Sequence, residues 1–384
     1  MKALLAHDHR FIRSGECLFS NGGLSAEVLQ RYASVFDGVT VVSRQIVSPT
    51  IHDGLTPAST DGVSFVRVPD FLSPRGIRLL PEAYRIIGQE VKNSHAVIAR
   101  LPSEIGQIAI KMARRYDVPT LVELVGDAWG SNWHHGVIGK LAAPASYLRT
   151  RSAVRRAPFV IYITDSYLQR QYPTYGRQIG CSNVQVDAQS RMDPALRHPI
   201  DGLRNGPILI GSCGAVNVRL KGHHLVVKAI PHLVDLGYDV RYEVVGGGDG
   251  SRLLTLAENL GVSDRLRLWG SKPHDEVNSW MNDLDIYVQP SLSEGQGRAL
   301  VEAMTQGCAC VCADVGGMKE LVEKEFRFRR GNVNDLSAVI AHAIANVHAC
   351  RVSAFQRGGD FQEEVLNQRR NRFLKEFRGW AEVR

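Results

Sequence analysis

The chain has 384 residues, 44% hydrophobic and 22% charged, which suits two core-forming domains of an ordinary soluble protein. No apolar run reaches the ~20 residues of a membrane-spanning helix, and the opening MKALLAHDHRF is too short in apolar residues for a secretory leader, so a cytoplasmic location is expected. The net charge of +7 lies in residues 1–200, with 23 Lys and Arg against 16 Asp and Glu; the rest balances at 23 of each.

Taken in chain order, residues 2–6 (KALLA) read as a first strand and the next seventeen as a loop. A helix is predicted from Leu24 toward Phe36. Asn21-Gly22-Gly23 ahead of that helix forms a candidate anion-binding turn. Short apolar strands then alternate with helices through VTVVS, HAVIAR, an amphipathic helix at 104–115, PTLVELVGD, YLRTRSAVRRA and FVIYITD, a βαβ series. The helical stretch carries Arg149, Arg151, Arg155 and Arg156. This basic run suits a solvated helix face, or else anionic lipid head groups or a lipid-diphosphate acceptor. No aromatic-rich or motif-bearing basic surface accompanies it, so nucleic acid is not an expected partner.

Residues 184–206 are polar and irregular, and PILIG then restarts a strand. The expected division is therefore a first domain of 1–204 and a second of 205–360, with a charged helical tail from 361. In the second series a strand is followed by GAVNVRLKGHH. Arg219 and Lys221 there suit a diphosphate, Arg as a fork and Lys as a point charge. A helix at 224–236, a strand at 240–245, the turn Gly246-Gly247-Gly248-Asp249, a helix at 251–260 and a strand at 265–269 follow.

The densest stretch is DIYVQPSLSEGQGRALVEAMTQGCACVCADVGGMKELVE, residues 285–323. It reads as strand, glycine loop, helix and strand, with Leu300, Ala303, Met304 and Gly307 at helical spacing. Gly295 and Gly297 let the backbone approach a ligand closely. The N–H groups near Gln296, Gly297 and Arg298 open a helix and attract phosphate. Glu294 and Glu302 each suit a vicinal diol. Spacing alone does not separate such a clamp from an ordinary βα loop.

The seven cysteines are odd in number and lack CxxC spacing, which argues against a disulfide framework. Cys308, Cys310 and Cys312 read as small buried residues of one strand. No DxD motif ends a predicted strand, and His134 and His135 lack metal-ligand spacing, so no metal is expected.

The run SEGQGRALVEAM, the GC after it and the later GGMKELV resemble the E-x7-E region of family 4 retaining glycosyltransferases. Gln296 departs from the usual aromatic or Leu. The resemblance implies a GT-B fold: two Rossmann-like domains facing a cleft, with the last helix (361–384) crossing back to the first domain. It implies a UDP- or GDP-linked sugar donor, with no cofactor besides that substrate. Glu294 would hold sugar hydroxyls, Glu302 the ribose, and Lys221 the leaving diphosphate. The family's Gly-Arg pair is missing because Ala215 follows Gly214, and Arg219 stands in as the nearby substitute. Gly247 and Lys272 fall in the segments that the family places around the nucleotide. Asp127 takes the place of the family's sugar-contacting His, with His134 or His135 as the fallback. The 10–23 loop, with Gly22 and Gly23, and the 127–135 loop would face the acceptor: a glycan, a lipid-linked sugar or a small molecule. A looser likeness of RLPSEIG, ELVGDAW and YITDSYLQRQYP points to bacterial capsule or exopolysaccharide members, and the basic first half would allow peripheral contact at the inner face of the membrane. A GT-B nucleotide-sugar epimerase and a non-catalytic module on the membrane are the alternatives.

Overall fold

The structure is a computed structural model that describes residues 1–48, 55–73, 75–133, 136–184, 186 and 206–384. It divides into two compact units, Met1–Asn183 with Asn367–Arg384, and Val184–Leu366. Residues 184–206, read from sequence as the connection, lie mostly outside the described residues. Val186 bridges Gln362, so the chain on either side of that connection joins the second unit earlier than residue 205 and leaves it later than residue 360.

The first unit contains β1 (Lys2–Ser14), β2 (Cys17–Ser20), α1 (Ala26–Ala33), β3 (Gly38–Val47), β4 (Thr56–Pro57), β5 (Val63–Arg67), α2 (Leu80–Lys92) and β6 (Ala96–Leu101). It continues with α3 (Glu104–Tyr116), β7 (Thr120–Leu124), α4 (Ala128–Trp133), α5 (Gly136–Arg155), β8 (Phe159–Tyr162), α6 (Tyr167–Gln171) and β9 (Arg177–Gly180). Its parallel core runs β5-β3-β1-β6-β7-β8-β9, with β2 and β4 added antiparallel. Every residue of β6 is buried. A strand apolar on both faces is what a parallel sheet covered by helices requires.

The expected loop after Ala6 is instead strand. β1 shifts register against β3 between Ala6 and Arg10, then resumes pairing through Arg13. Phe11 supplies the driving force: it is buried, with its ring 5.1 Å from that of Phe65. The acceptor loop proposed for 10–23 therefore shrinks to the turn beyond β2. The helix begins at Ala26 rather than Leu24, because Ser25 caps it by accepting from Val28 N–H.

The second unit contains β10 (Ile208–Cys213), α7 (His223–Asp235), β11 (Val240–Val245), α8 (Ser251–Asn259), β12 (Leu266–Leu268), α9 (His274–Asn282) and β13 (Ile286–Gln289). It continues with α10 (Arg298–Thr305), β14 (Ala309–Ala313), β15 (Arg327–Phe328), α11 (Val333–Ala345) and α12 (Val347–Gly358), and the start of α13 (Glu363–Glu382). The six strands are parallel in the order β12-β11-β10-β13-β14-β15. The chain builds outward from β10 to β12, then returns to the other side of β10 to lay down β13. The order reverses between β10 and β13, and open α/β sheets bind ligands at the carboxyl ends of such a pair.

From Asn367 onward α13 belongs to the first unit, as the family resemblance implies for the closing helix. Phe159 meets Phe373 and Phe377 at 5.3 Å and Trp380 at 5.4 Å. Arg370 is buried and donates to the Ser182 carbonyl at 2.7 Å and to Asn183 at 3.1 Å. Among the described residues no single helix is long and apolar enough to cross a membrane.

Candidate active site

At the β10/β13 switch point the two strands deliver Lys221 and Glu294 to each other. A 3₁₀ turn, Arg219–Lys221, follows β10 and ends at Gly222, whose φ is +77°. A Cβ on Gly222 would lie 1.9 Å from the Pro290 carbonyl, so only glycine lets this turn sit on the end of β13. Lys221 Nζ then stands 2.9 Å from Glu294 Oε2. Both side chains keep partial exposure, 33% and 20%, so a ligand can reach them.

A buried relay orients Glu294. Cys213 N–H donates to the Tyr287 hydroxyl at 3.3 Å, and Tyr287 donates to Gln289 Oε1 at 2.7 Å. Gln289 Nε2 donates to Ser291 Oγ at 2.9 Å, and Ser291 donates to Glu294 Oε2 at 3.2 Å. Tyr287, Gln289 and Ser291 are buried, so each bond acts in a low dielectric and a broken one would strand polar atoms. Oε2 is thus committed to Lys221 and Ser291, leaving Oε1 for a ligand. Sequence reasoning missed these three residues. Their signal was a polar side chain at every second position in the otherwise apolar run YVQPS.

Beyond Glu294 the loop is locked from above. Gly317 N–H donates to the Gly295 carbonyl at 2.8 Å, and a Cβ on Gly316 would meet the Glu294 carbonyl at 1.8 Å. Gln296 is buried. Gly297 opens α10 with φ +84° and no side-chain cap, so the first N–H groups of α10 have no side-chain acceptor at the N-cap. Arg298 Nε donates to Glu302 Oε1 at 2.9 Å, and His274 Nε2 lies 3.4 Å from the same oxygen. Glu302 is mostly buried while Arg298 and His274 are exposed, so the carboxylate is fixed from its outer side. Burial and the charge of Glu302 push the Cys213 thiol up to about 11, a neutral group beside the site.

His223, also missed from sequence, secures the floor. It is 2% exposed, with Nδ1 3.0 Å from the Tyr242 hydroxyl and Nε2 3.2 Å from the Gly214 carbonyl. The carbonyl only accepts, so Nε2 carries the proton and Nδ1 accepts from tyrosine. Burial lowers its pKa to about 4. Gly247 packs under Ser271, where a Cβ would approach Oγ to 2.5 Å. Lys272 pairs with Glu276 at 2.6 Å and lies 5.0 Å from the Trp269 ring. The Trp269 and Trp280 indoles both donate to Glu243 Oε2, at 2.9 and 2.8 Å, fixing that wall.

Arg219 does not join Lys221. It lines a separate cavity with His224, Lys228 and Arg252. In the first unit Asp127 caps α4: Oδ1 accepts from Trp129 N–H at 3.1 Å and Oδ2 from Gly130 N–H at 2.9 Å, with the Tyr172 hydroxyl also donating to Oδ1. His134 and His135 lie outside the described residues. Gly22 and Gly23 are exposed, and Ser20 Oγ bridges the Gly22 carbonyl at 2.7 Å and His9 Nε2 at 2.9 Å. Ser25 Oγ accepts from Val28 N–H at 3.5 Å, so one N–H of the helix start behind these glycines already has a side-chain acceptor. Among the described residues no group of three His, Cys, Asp or Glu side chains is placed to hold a metal ion.

Two units of this kind, each a parallel sheet flanked by helices, are the building blocks of the GT-B class of glycosyltransferase. Residues 197–352 match the family described as glycosyl transferases group 1. The chain is 30% identical over 350 residues to protein CapJ of Staphylococcus aureus, which covers 90% of this chain and 86% of CapJ. It is 35% identical over 120 residues to the 2-deoxystreptamine glucosyltransferase of Streptomyces kanamyceticus, spanning 31% of this chain and 30% of that one. The fold matches Anabaena HepE in complex with UDP at a TM-score of 0.66, with 18% identity over 98% of this chain and 100% of that one. It matches the lipopolysaccharide outer core galactosyltransferase WaaB at 0.68, with 13% identity over 98% and 99%. The chain belongs to the group 1 glycosyltransferases.

Proposed function

We propose that this glycosyltransferase is a retaining, metal-independent hexosyltransferase of family 4 that takes its sugar from a nucleotide diphosphate. The observation that carries the reading is the Lys221–Glu294 pair beside the uncapped start of α10, at the switch point of the second unit. In this arrangement Glu294 Oε1 holds hexose hydroxyls and Glu302 holds the ribose diol. Lys221 and the first N–H groups of α10 meet the diphosphate. The bond from the sugar's anomeric carbon to the phosphate oxygen breaks, and the acceptor oxygen bonds that carbon from the same face. The departing phosphate takes the acceptor's proton and leaves as the nucleoside diphosphate. Preorganised cationic groups that gain on the departing charge are a large catalytic term. Solved HepE structures hold UDP and UDP-glucose, which favours a uridine donor over a guanosine one.

Two variants test the assignment. Glu302→Ala weakens UDP binding, measured calorimetrically, whereas Glu294→Ala lowers turnover and leaves UDP affinity nearly intact. Wild-type transfer by both variants would refute it. Turnover that a chelator abolishes and Mg²⁺ restores would refute metal independence. Release of an altered donor sugar without acceptor would favour an epimerase.

The acceptor is proposed to be a glycan or lipid-linked sugar of a bacterial surface polysaccharide, reached by peripheral binding at the inner membrane face. The support lies on α5, where Leu141 and Leu148 are 78% and 62% exposed beside Lys140 and Arg151, and beside Arg149, which pairs with Glu104 at 2.7 Å. An apolar stripe flanked by cations suits an interface with anionic lipid. Sedimentation with phosphatidylglycerol vesicles should fall in Leu141→Asp/Leu148→Asp; equal sedimentation would exclude this face.

A further inference from the structure

Arg219 and Lys221 share one short turn yet serve different spaces. Lys221 reaches Glu294, while Arg219 lines a cavity of about 260 Å³ between α7 and α8. Lys228 and His224 enter that cavity from α7, and Arg252 enters from α8. Its floor is apolar, built on the buried Val216 and Leu253. The side chains of Arg219, Lys228 and Arg252 make no ion pair or hydrogen bond among the described residues. Asp249, at the start of α8, accepts from the N–H and O–H of Ser251 at 2.9 and 3.0 Å and makes no direct ion pair with Arg252, although its charge is felt there. Burial and then the fields of Arg219 and Lys228 lower the pKa of His224, in keeping with cations converging on one space.

Three unpaired cations around an apolar-floored hollow cost self-repulsion that a bound anion would relieve. We infer that the α7–α8 cavity is a second anion site, taking a phosphate monoester whose phosphate meets Arg219, Lys228 and Arg252 and whose organic part rests on Val216 and Leu253. The site shares the 219–221 turn with the donor pocket as a common wall, so occupancy and donor binding are coupled through Lys221.

The test is calorimetric titration of inorganic phosphate and butyl phosphate into the full chain at constant ionic strength. Saturable binding is expected, several-fold tighter for butyl phosphate because of the apolar floor. The Lys228→Gln/Arg252→Gln variant should bind either probe at least tenfold more weakly while keeping its UDP affinity in phosphate-free buffer. Lys221→Gln should do the reverse. Arg252→Lys, which keeps the charge, should still lose several-fold, because an ammonium lacks the guanidinium fork. Equal phosphate affinity in the wild type and the double variant overturns the proposal. So does full affinity in Arg252→Lys, which would mark a diffuse charged patch, or loss of phosphate binding in Lys221→Gln alone. Phosphatidic acid vesicles that displace butyl phosphate would identify a lipid head group as the natural ligand; failure to displace it would identify a soluble monoester. Absent UDP binding with intact phosphate binding would sink the proposed donor and leave this site standing.

Discussion

Helices α3 and α4 of the first unit and α7 and α10 of the second open in opposite ways. In the first unit Asp8 accepts from Glu104 N–H at 2.7 Å and Ile105 N–H at 2.8 Å at the start of α3, Ser103 takes Gly106 N–H, and Asp127 closes α4. In the second unit α7 and α10, the helices that follow β10 and β13, begin at Gly222 and Gly297 with no side-chain cap. A capped helix end has spent its N–H groups on its own chain, while an uncapped one at a switch point keeps them for an anion. On the proposed function, the second unit is therefore the one that meets the donor's diphosphate.

The largest test of that contrast is Lys221→Ala. If the open end of α10 works with this cation on the departing diphosphate, kcat/KM should fall by roughly 10²–10³. A fall below threefold in a steady-state assay would break the link between the uncapped helix and catalysis.

Next is acid stability. His223 has a folded pKa of about 4 against 6.5 for the free side chain. The unfolded chain takes up a proton that the folded chain refuses, so stability is full above pH 6.5 and is lost as pH falls from 6.5 toward 4. The loss is about 3 kcal/mol. His9, also lowered to about 4 by burial, contributes in the same direction from the first unit. The diagnostic quantity is the difference between wild type and His223→Asn in urea unfolding. It should shrink between pH 7 and pH 4.5, and a constant difference would show that His223 does not titrate as argued.

Asp8→Ala removes two acceptors from the start of α3 and should cost about 1–2 kcal/mol in the same unfolding assay, without affecting UDP affinity. A neutral result would mean that water caps this end as well as the carboxylate does.

The smallest expected effect sharpens the role of Asp127. Asp127→Asn keeps one acceptor oxygen but turns an NH2 toward the remaining donor, so stability should fall by about 1 kcal/mol. Turnover should hold if capping is its whole task. A large loss of turnover at so small a loss of stability would return Asp127 to the sugar contact that the family resemblance implies.

Much of the second unit was legible in the sequence because its signals are local. Leu300, Ala303 and Met304 are buried at helical spacing, Gly307 ends α10 with φ +70°, and Cys308, Cys310 and Cys312 are buried as expected. The first unit was less legible at β1. The polar run HDHR looks like a loop, and only the resumed pairing with β3 and the burial of Phe11 make it strand. The Tyr287–Gln289–Ser291 relay was hidden for a related reason: alternation marks the residues, but their partners depend on how β10 and β13 meet.

By itself the sequence determined the alternation of strands and helices, the glycine loop between Glu294 and Glu302, and the excess of positive charge in the first half. These follow from periodicity, backbone freedom and composition, which are properties of neighbouring residues. Only the tertiary structure decided that Lys221 meets Glu294 across 73 positions, that Arg219 turns away into the α7–α8 cavity, and that Asp127 caps a helix. Those outcomes depend on the reversal of strand order at β10/β13 and on which N–H groups already have a partner, and neither is encoded in any short stretch of chain.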